Sequence, residues 1–163
     1  TTEIYTLSLH DALPILRTLT NHAPNIQILK AEGPAPYISG LMLELGEDFT
    51  VFNGRNGVEL IDNLRAGCAG TIPGVECCDL QVQIYNSWRS GDHSAATTQF
   101  RHALPLLSYL MLTIDHLLCY GKRLAAQRLG IAQVHDRQPA MAARAVDLDT
   151  LEFWSRHLEP LPE

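Results

Sequence analysis

The chain has 163 residues, of which 46% are apolar and 18% charged, a balance that suits a globular domain with a real core. Its formal net charge of −6 argues against a protein whose main work is gripping a phosphate backbone, because that work needs a basic face. No apolar run reaches the roughly 18 residues a membrane helix needs; the longest, ALPLLSYLMLTI at Ala103–Ile114, holds Pro105 and two hydroxyl residues and reads as a buried helix.

The opening stretch, TTEIYTLSLHDALPI (Thr1–Ile15), has no clean period of 3.6 and no strict alternation, and it lacks the basic start and small-residue cleavage site of a signal peptide. Regular patterning begins at Leu16. LRTLTNHA reads as the end of a helix that Pro24-Asn25 breaks. NIQILKAEG (Asn25–Gly33) reads as a short buried strand built on Ile26, Ile28 and Leu29. Tyr37–Leu45 is expected to be helical, weakened by Gly40. FTVFNG (Phe49–Gly54) is a second strand, and Gly57–Gly67 an amphipathic helix with Val58, Leu60, Ile61 and Leu64 on its apolar stripe. CAGTIPG (Cys68–Gly74) is a third short strand running into a Pro-Gly turn.

From Asp79 the pattern is helical: Asp79–Gly91, a long helix over Ser94–Leu118, and a shorter one at Gly121–Gly130. Ile131–Val146 reads as loop. A last helix, Asp147–Leu158, is expected to use Asp147 or Asp149 as N-cap, with Leu151, Trp154 and Leu158 on its inner face.

Strands alternating with helices imply an α/β fold with a parallel sheet, and short apolar strands suggest cover on both faces. Three such strands are too few for a whole (β/α)8 barrel, which takes about 200–250 residues. The four cysteines, Cys68, Cys77, Cys78 and Cys119, form no C-x-x-C pair, and the seven histidines show no zinc spacing. The expectation is reduced thiols, a cytoplasmic protein and no metal.

Residues at the carboxyl ends of parallel strands are the default catalytic positions in such folds, and three candidates fall there. Lys30 ends the first strand; next to apolar neighbours its amine could be partly desolvated and attack a ketone, or it could be a solvated strand-end lysine. Gly54-Arg55-Asn56-Gly57 follows the second strand, where backbone N–H groups and the Arg55 fork could meet an anion, or where a plain turn could stand. Gly70–Gly74 follows the third, where Thr71 could hydrogen-bond a substrate hydroxyl, or where a tight turn could pack on the next helix.

The runs NIQILKAEG, FTVFNGRNGVELIDNLRAGCAGTIPG and GKRLAAQRLGI, in order from about Leu16 to Ile131, resemble the dihydrodipicolinate synthase / N-acetylneuraminate lyase family. The resemblance implies a (β/α)8 barrel followed by extra helices, and class I aldolase, lyase or dehydratase chemistry on a 2-keto acid such as pyruvate, without a cofactor. It implies that Lys30, in I-L-K-A-E-G, is the Schiff-base lysine at the end of strand six. FTVFNG and AGTIPG then correspond to strands seven and eight, whose loops face the distal part of the substrate, so Gly54, Arg55, Asn56, Thr71 and Ile72 are expected to bind it. A cytoplasmic homotetramer, with no nucleic-acid or membrane partner, is implied for the full-length protein.

Two departures stand out. The turn Asn53-Gly54-Arg55-Asn56 replaces the Ser-Gly-Asp-like turn usual in the lysine-biosynthesis enzymes, and Thr71-Ile72-Pro73-Gly74 is closer to members that handle keto-deoxy sugar acids. Strands one to five are unmatched, and with them the carboxylate-binding loop and the proton-shuttling tyrosine. The organisation expected is therefore residues 1–15 as a non-native segment, 16–78 as the C-terminal part of a barrel, and 79–163 as the last barrel helix and a helical region. The fragment itself is expected to be inactive, with a true 4-hydroxy-tetrahydrodipicolinate synthase or a non-enzymatic half-barrel module as alternatives.

Residues 1–15 resemble one translated frame of a common short-read sequencing adapter, which removes His10 and Asp11 from any site. The adapter ends in one further T, so this reading predicts a TTA or TTG codon for Leu16. Sequencing the source DNA checks it, and a CTN codon refutes it.

Overall fold

The computed structural model describes residues 9–161, with side-chain surroundings from residue 13. The adapter reading covers residues 1–15; residues 1–8 and the side chains of His10 and Asp11 lie outside what is described, while residues 9–15 form the first half of a helix. The chain divides into two compact units, Thr1–Arg55 with Glu59–Ile72, and Asn56–Val58 with Pro73–Glu163.

The first unit runs α1 (Leu9–His22), β1 (Ile28–Ala31), α2 (Ala35–Leu45), β2 (Thr50–Asn53), α3 (Leu60–Arg65) and β3 (Gly70–Thr71). The three strands form one parallel sheet in the order β1-β2-β3, so the expected α/β class holds. Period-two alternation divides the strand residues between two faces. Leu29, Ala31 and Val51 turn toward the helices, where they meet Ile38, Leu41 and Leu45 of α2, with Phe49, Cys68, Leu13 and Leu16 around them. The three α2 residues are at most 1% exposed, and each such burial contributes about 1.5–3 kcal/mol.

The opposite face carries Ile28, Lys30, Thr50 and Phe52, with Lys30 registered on Phe52 and Phe52 on Gly70. Here the sequence reading needs correction. Ile26 and Ile28 are 42% and 67% exposed, because β1 is an edge strand of this sheet and no described helix of the unit covers that face. The helix expected over Gly57–Gly67 is also shorter. A 3-10 turn at Arg55–Gly57 precedes it, and α3 begins only at Leu60.

The second unit contains a 3-10 turn at Val75–Cys77, then α4 (Cys78–Arg89), α5 (His93–Leu110), a short α6 (Ile114–His116), a π-turn (Leu117–Gly121), α7 (Lys122–Arg128) and α8 (Ala145–Ser155). α4 and α5 pack as a hairpin, and α8 lies on α5. The single helix expected over Ser94–Leu118 is broken after Leu110. Thr113 is fully extended and its hydroxyl accepts the His116 N–H at 3.0 Å, a side-chain cap that starts a new helix. The two helical stretches meet at 100°. Ala103, Leu106, Leu107 and Leu110 are buried as expected, but Leu112 and Ile114 beyond the break are exposed.

Two expectations for the last helix also fail. Arg144, not Asp147 or Asp149, is the N-cap residue of α8. Asp147 sits in the first turn and pairs instead with Arg144 and the Tyr120 hydroxyl. Leu151 is buried, whereas Trp154 is 36% exposed and lies edge-on to Phe153. No single helix among the described residues is long and apolar enough to cross a membrane.

The four cysteines are free thiols. Burial, aided by the neighbouring Glu76, pushes the Cys77 thiol up to about 12, which makes it a packing residue rather than a nucleophile.

Arg128 locks the second unit. Its side chain is 3% exposed. It holds both Asp79 carboxylate oxygens at 2.7 Å and donates to the carbonyls of Glu76 and Glu159. The Arg128→Met variant is expected to lose about 3 kcal/mol, since it strands buried acceptors. Arg128 holds the Asp79 carboxyl below its ordinary range, and Arg123 with Lys122 brings Asp136 down to about 2. Depressed folded values mean stability that is present above about pH 4, the unfolded carboxylate range, and lost as pH falls further. Urea midpoints should hold between neutral pH and about 5 and drop below about 4, with a shallower drop in Arg128→Met.

Candidate functional site

The sheet brings five of the six sequence-predicted site residues into the first unit, at the carboxyl ends of its strands. Parallel register aligns Ala31, Asn53 and Thr71 across β1, β2 and β3. Lys30 lies one residue back on the open face, and its side chain is 56% exposed. The desolvation expected from its apolar neighbours is therefore not supplied by the elements described. Lys30 also edges a shallow cleft of about 240 Å³ shared with Leu16, Leu29, Glu32 and Tyr37.

Glu32, which sequence reasoning overlooked, stands beside it. The period of two that carries Lys30 to the open face carries Glu32 the same way, so the signal was present in K-A-E. Its Oε2 lies 3.9 Å from Lys30 Nζ. Its Oε1 accepts the Arg55 N–H at 2.8 Å. A Cβ on Gly54 would stand 1.7 Å from Glu32 Oε2, so only glycine lets the carboxylate close onto the β2 turn.

The Gly54–Asn56 turn does two jobs. Arg55 adopts a left-handed φ of 53°, which aims its N–H at Glu32. Its guanidinium turns to Glu59, with Nε and Nη2 each 3.1 Å from a carboxylate oxygen. A ligand anion would have to compete with that carboxylate for the fork. Asn56 belongs to the second unit. Its Oδ1 accepts the Gly74 N–H and its Nδ2 donates to Glu76, each at 2.7 Å, while its carbonyl accepts from Gln81. Both amide atoms of Asn56 are thus committed in a residue 4% exposed. A direct ligand contact of the Asn56 amide, as expected from the sequence, would have to displace Gly74 and Glu76.

Thr71 donates its hydroxyl hydrogen to the carbonyls of Asn53 and Gly54, at 2.9 and 3.3 Å, and keeps lone pairs to accept from a ligand. Ile72 follows it, 44% exposed. Asn53 is the second residue the sequence reading missed. It is fully buried and its side chain grips the Gly33 carbonyl, the Gly33 N–H and the Gly54 N–H at 3.0, 3.3 and 2.9 Å. It holds the end of β1 against the end of β2. Among the described residues no group of three or more His, Cys, Asp or Glu side chains could hold a metal.

The three adjoining parallel strands with their intervening helices stand open on one face and carry a lysine at the end of the edge strand. No protein-family model matches the chain, and no curated protein sequence matches it. Solved structures do. YagE of E. coli K12, a prophage protein of the dihydrodipicolinic acid synthase family solved in complex with pyruvate, is 19% identical with a TM-score of 0.75, over 90% of this chain and 51% of that one. The 4-hydroxy-tetrahydrodipicolinate synthase of Methylacidiphilum fumariolicum SolV is 18% identical at a TM-score of 0.75, over 89% and 48%. A putative dihydrodipicolinate synthetase from Pseudomonas aeruginosa is 23% identical at 0.71, over 95% and 52%.

At these identities the likeness is one of fold, and it agrees with the resemblance drawn from the sequence. The chain is α/β, with an open three-stranded parallel sheet that matches about half of a dihydrodipicolinate synthase barrel. It spans about half the length of the structures it matches.

Asn53→Leu should cost about 3 kcal/mol, since it leaves the backbone groups at Gly33 and Gly54 without their buried partner. Chemical denaturation measures this, and amide exchange at Gly33 and Gly54 should rise with it.

Proposed function

We propose that the chain is the part of a Schiff-base-forming lyase of the dihydrodipicolinate synthase family that carries strands six to eight and the helices after them, and that the full-length enzyme acts on a 2-keto acid. The observation that carries this reading is Lys30 at the carboxyl end of an edge strand, level with the turns after its two parallel neighbours. In this reading the neutral Lys30 amine attacks the keto carbon, and the protonated imine then serves as the electron sink for making or breaking a C–C bond, or for eliminating water. Gly54, Arg55, Thr71 and Ile72 face the distal part of the substrate. The full-length protein is taken to be a cytoplasmic homo-oligomer.

The leaning in substrate class comes from the turns. Asn53-Gly54-Arg55-Asn56 stands where a lysine-biosynthesis enzyme would have its Ser-Gly-Asp-like turn, and Thr71-Ile72-Pro73-Gly74 is closer to members that handle keto-deoxy sugar acids, which favours such an acid or a related pyruvate-derived chain. The segment by itself supplies neither the carboxylate clamp nor the tyrosine shuttle of the family, and so forgoes most of the transition-state stabilisation.

The test joins the chain to the first five strands of a family barrel and incubates it with pyruvate, or a keto-deoxy sugar acid, and borohydride. A reduced adduct on the peptide containing Lys30 is expected, and Lys30→Arg should abolish it together with turnover. A joined protein that folds yet carries no adduct at Lys30 would overturn the reading.

A further inference from the structure

Glu32 has no part in the substrate contacts proposed above, and yet its placement is closely determined. One carboxylate oxygen is tied to the Arg55 N–H, the missing side chain at Gly54 leaves room for the other, and that second oxygen points to Lys30 Nζ at 3.9 Å. A surface carboxylate that merely balanced a charge would not need a glycine and a left-handed backbone to hold it. Among the described residues no other carboxylate lines the cleft beside Lys30 and the remaining polar side chain is Tyr37, while the Arg55 guanidinium is turned to Glu59.

We infer that Glu32 is the acid–base partner of Lys30, taking the proton that frees the amine and returning it to the departing hydroxyl. The inference rests on Lys30 being the Schiff-base lysine. The carboxylate accepts one proton from the ammonium, leaving a neutral amine and a carboxylic acid. The nitrogen lone pair forms the C–N bond as the carbonyl π pair moves to oxygen, and one amine proton passes to that oxygen to give the carbinolamine. Glu32 then protonates the hydroxyl, the C–O bond breaks and water leaves. The nitrogen lone pair closes the protonated imine, and the carboxylate is regenerated. A gap of 3.9 Å is loose for proton transfer, but catalytic hydrogen bonds commonly tighten only in the substrate complex.

The sequence contains an internal control, since Lys122 is its only other lysine. Lys122 Nζ also sits by a carboxylate, Asp136, at 3.1 Å. That carboxylate is tied up by Arg123 and brought down to about 2, which makes it too weak a base to free an amine. Proximity of a carboxylate alone should therefore not make Lys122 reactive.

The experiment incubates this chain with pyruvate and cyanoborohydride at a series of pH values and reads the adduct rates at Lys30 and Lys122 by peptide mass spectrometry. Lys30 is expected to outpace Lys122 at neutral pH. Glu32→Gln keeps an oxygen for the Arg55 N–H but cannot accept the proton. It should lower the Lys30 rate about 100-fold near neutrality, the lower end of what a positioned acid–base group supplies, and move the rise of the rate to alkaline pH. Gly54→Ala, which displaces the carboxylate without altering it, should reproduce the loss. If Lys30 outpaces Lys122 but Glu32→Gln matches or exceeds the parent chain at every pH, Glu32 is only a counter-ion and the inference falls while the Schiff-base reading stands. If Lys30 is no faster than Lys122 in the parent chain, the relay falls, and adduct formation in the joined protein then decides the Schiff-base reading separately.

Discussion

The seating of α2 on one face of the sheet decides most of what the first unit presents to solvent. Ile38, Leu41 and Leu45 bury themselves against Ala31 and Val51, and side chains alternate strictly along a strand. Choosing Ala31 and Val51 for the core therefore sends Lys30 and Phe52 to the other face. A slip of one residue in β1 would drive the lysine into the leucines and bring the apolar Leu29 out. The position of the candidate nucleophile thus follows from hydrophobic burial two or three residues away rather than from any contact the lysine makes itself.

Polar side chains then finish what burial begins. Asn53 ties the backbone after β1 to the end of β2, and Glu32 bridges from the strand of Lys30 to the β2 turn. Both sit in a stretch where the backbone leaves regular structure and would otherwise lack partners. In the second unit Asn56 does the same between the turn and the residues after β3, and Arg128 ties α7 to the start of α4. The Asn56 amide is already spent on Gly74 and Glu76, and Glu59 occupies the Arg55 fork. This is why Asn56 and Arg55 have less to offer a ligand than their residue types suggest.

Much of this was legible in advance. The order of strands and helices, the strand-end position of Lys30 and the turns carrying Gly54 and Thr71 follow from hydrophobic periodicity and glycine placement. What was missed involves the same few residue types each time. The helix break at Thr113 hid inside an apolar run, because a threonine cap is a local hydrogen bond that periodicity does not register. Asp147 had the right identity for an N-cap, but Tyr120 and Arg144 offered it stronger partners. Glu32 and Asn53 were passed over inside their strand runs, since their importance lies in atoms twenty or more positions away along the chain.

By itself the sequence determined the alternation of elements and the parallel class of the sheet, because these rest on local propensity and on the spacing of apolar residues, and its runs NIQILKAEG, FTVFNG and AGTIPG carried the resemblance to a family of Schiff-base lyases. Only the tertiary structure decided which face of β1 lies open, that Lys30 is exposed beside Glu32, and that Gly74 and Glu76 occupy the Asn56 amide. Those outcomes depend on which neighbour a side chain meets once the strands are in register. Hydrogen bonds between residues distant in sequence follow no period, so they become visible only when the fold has brought their partners together.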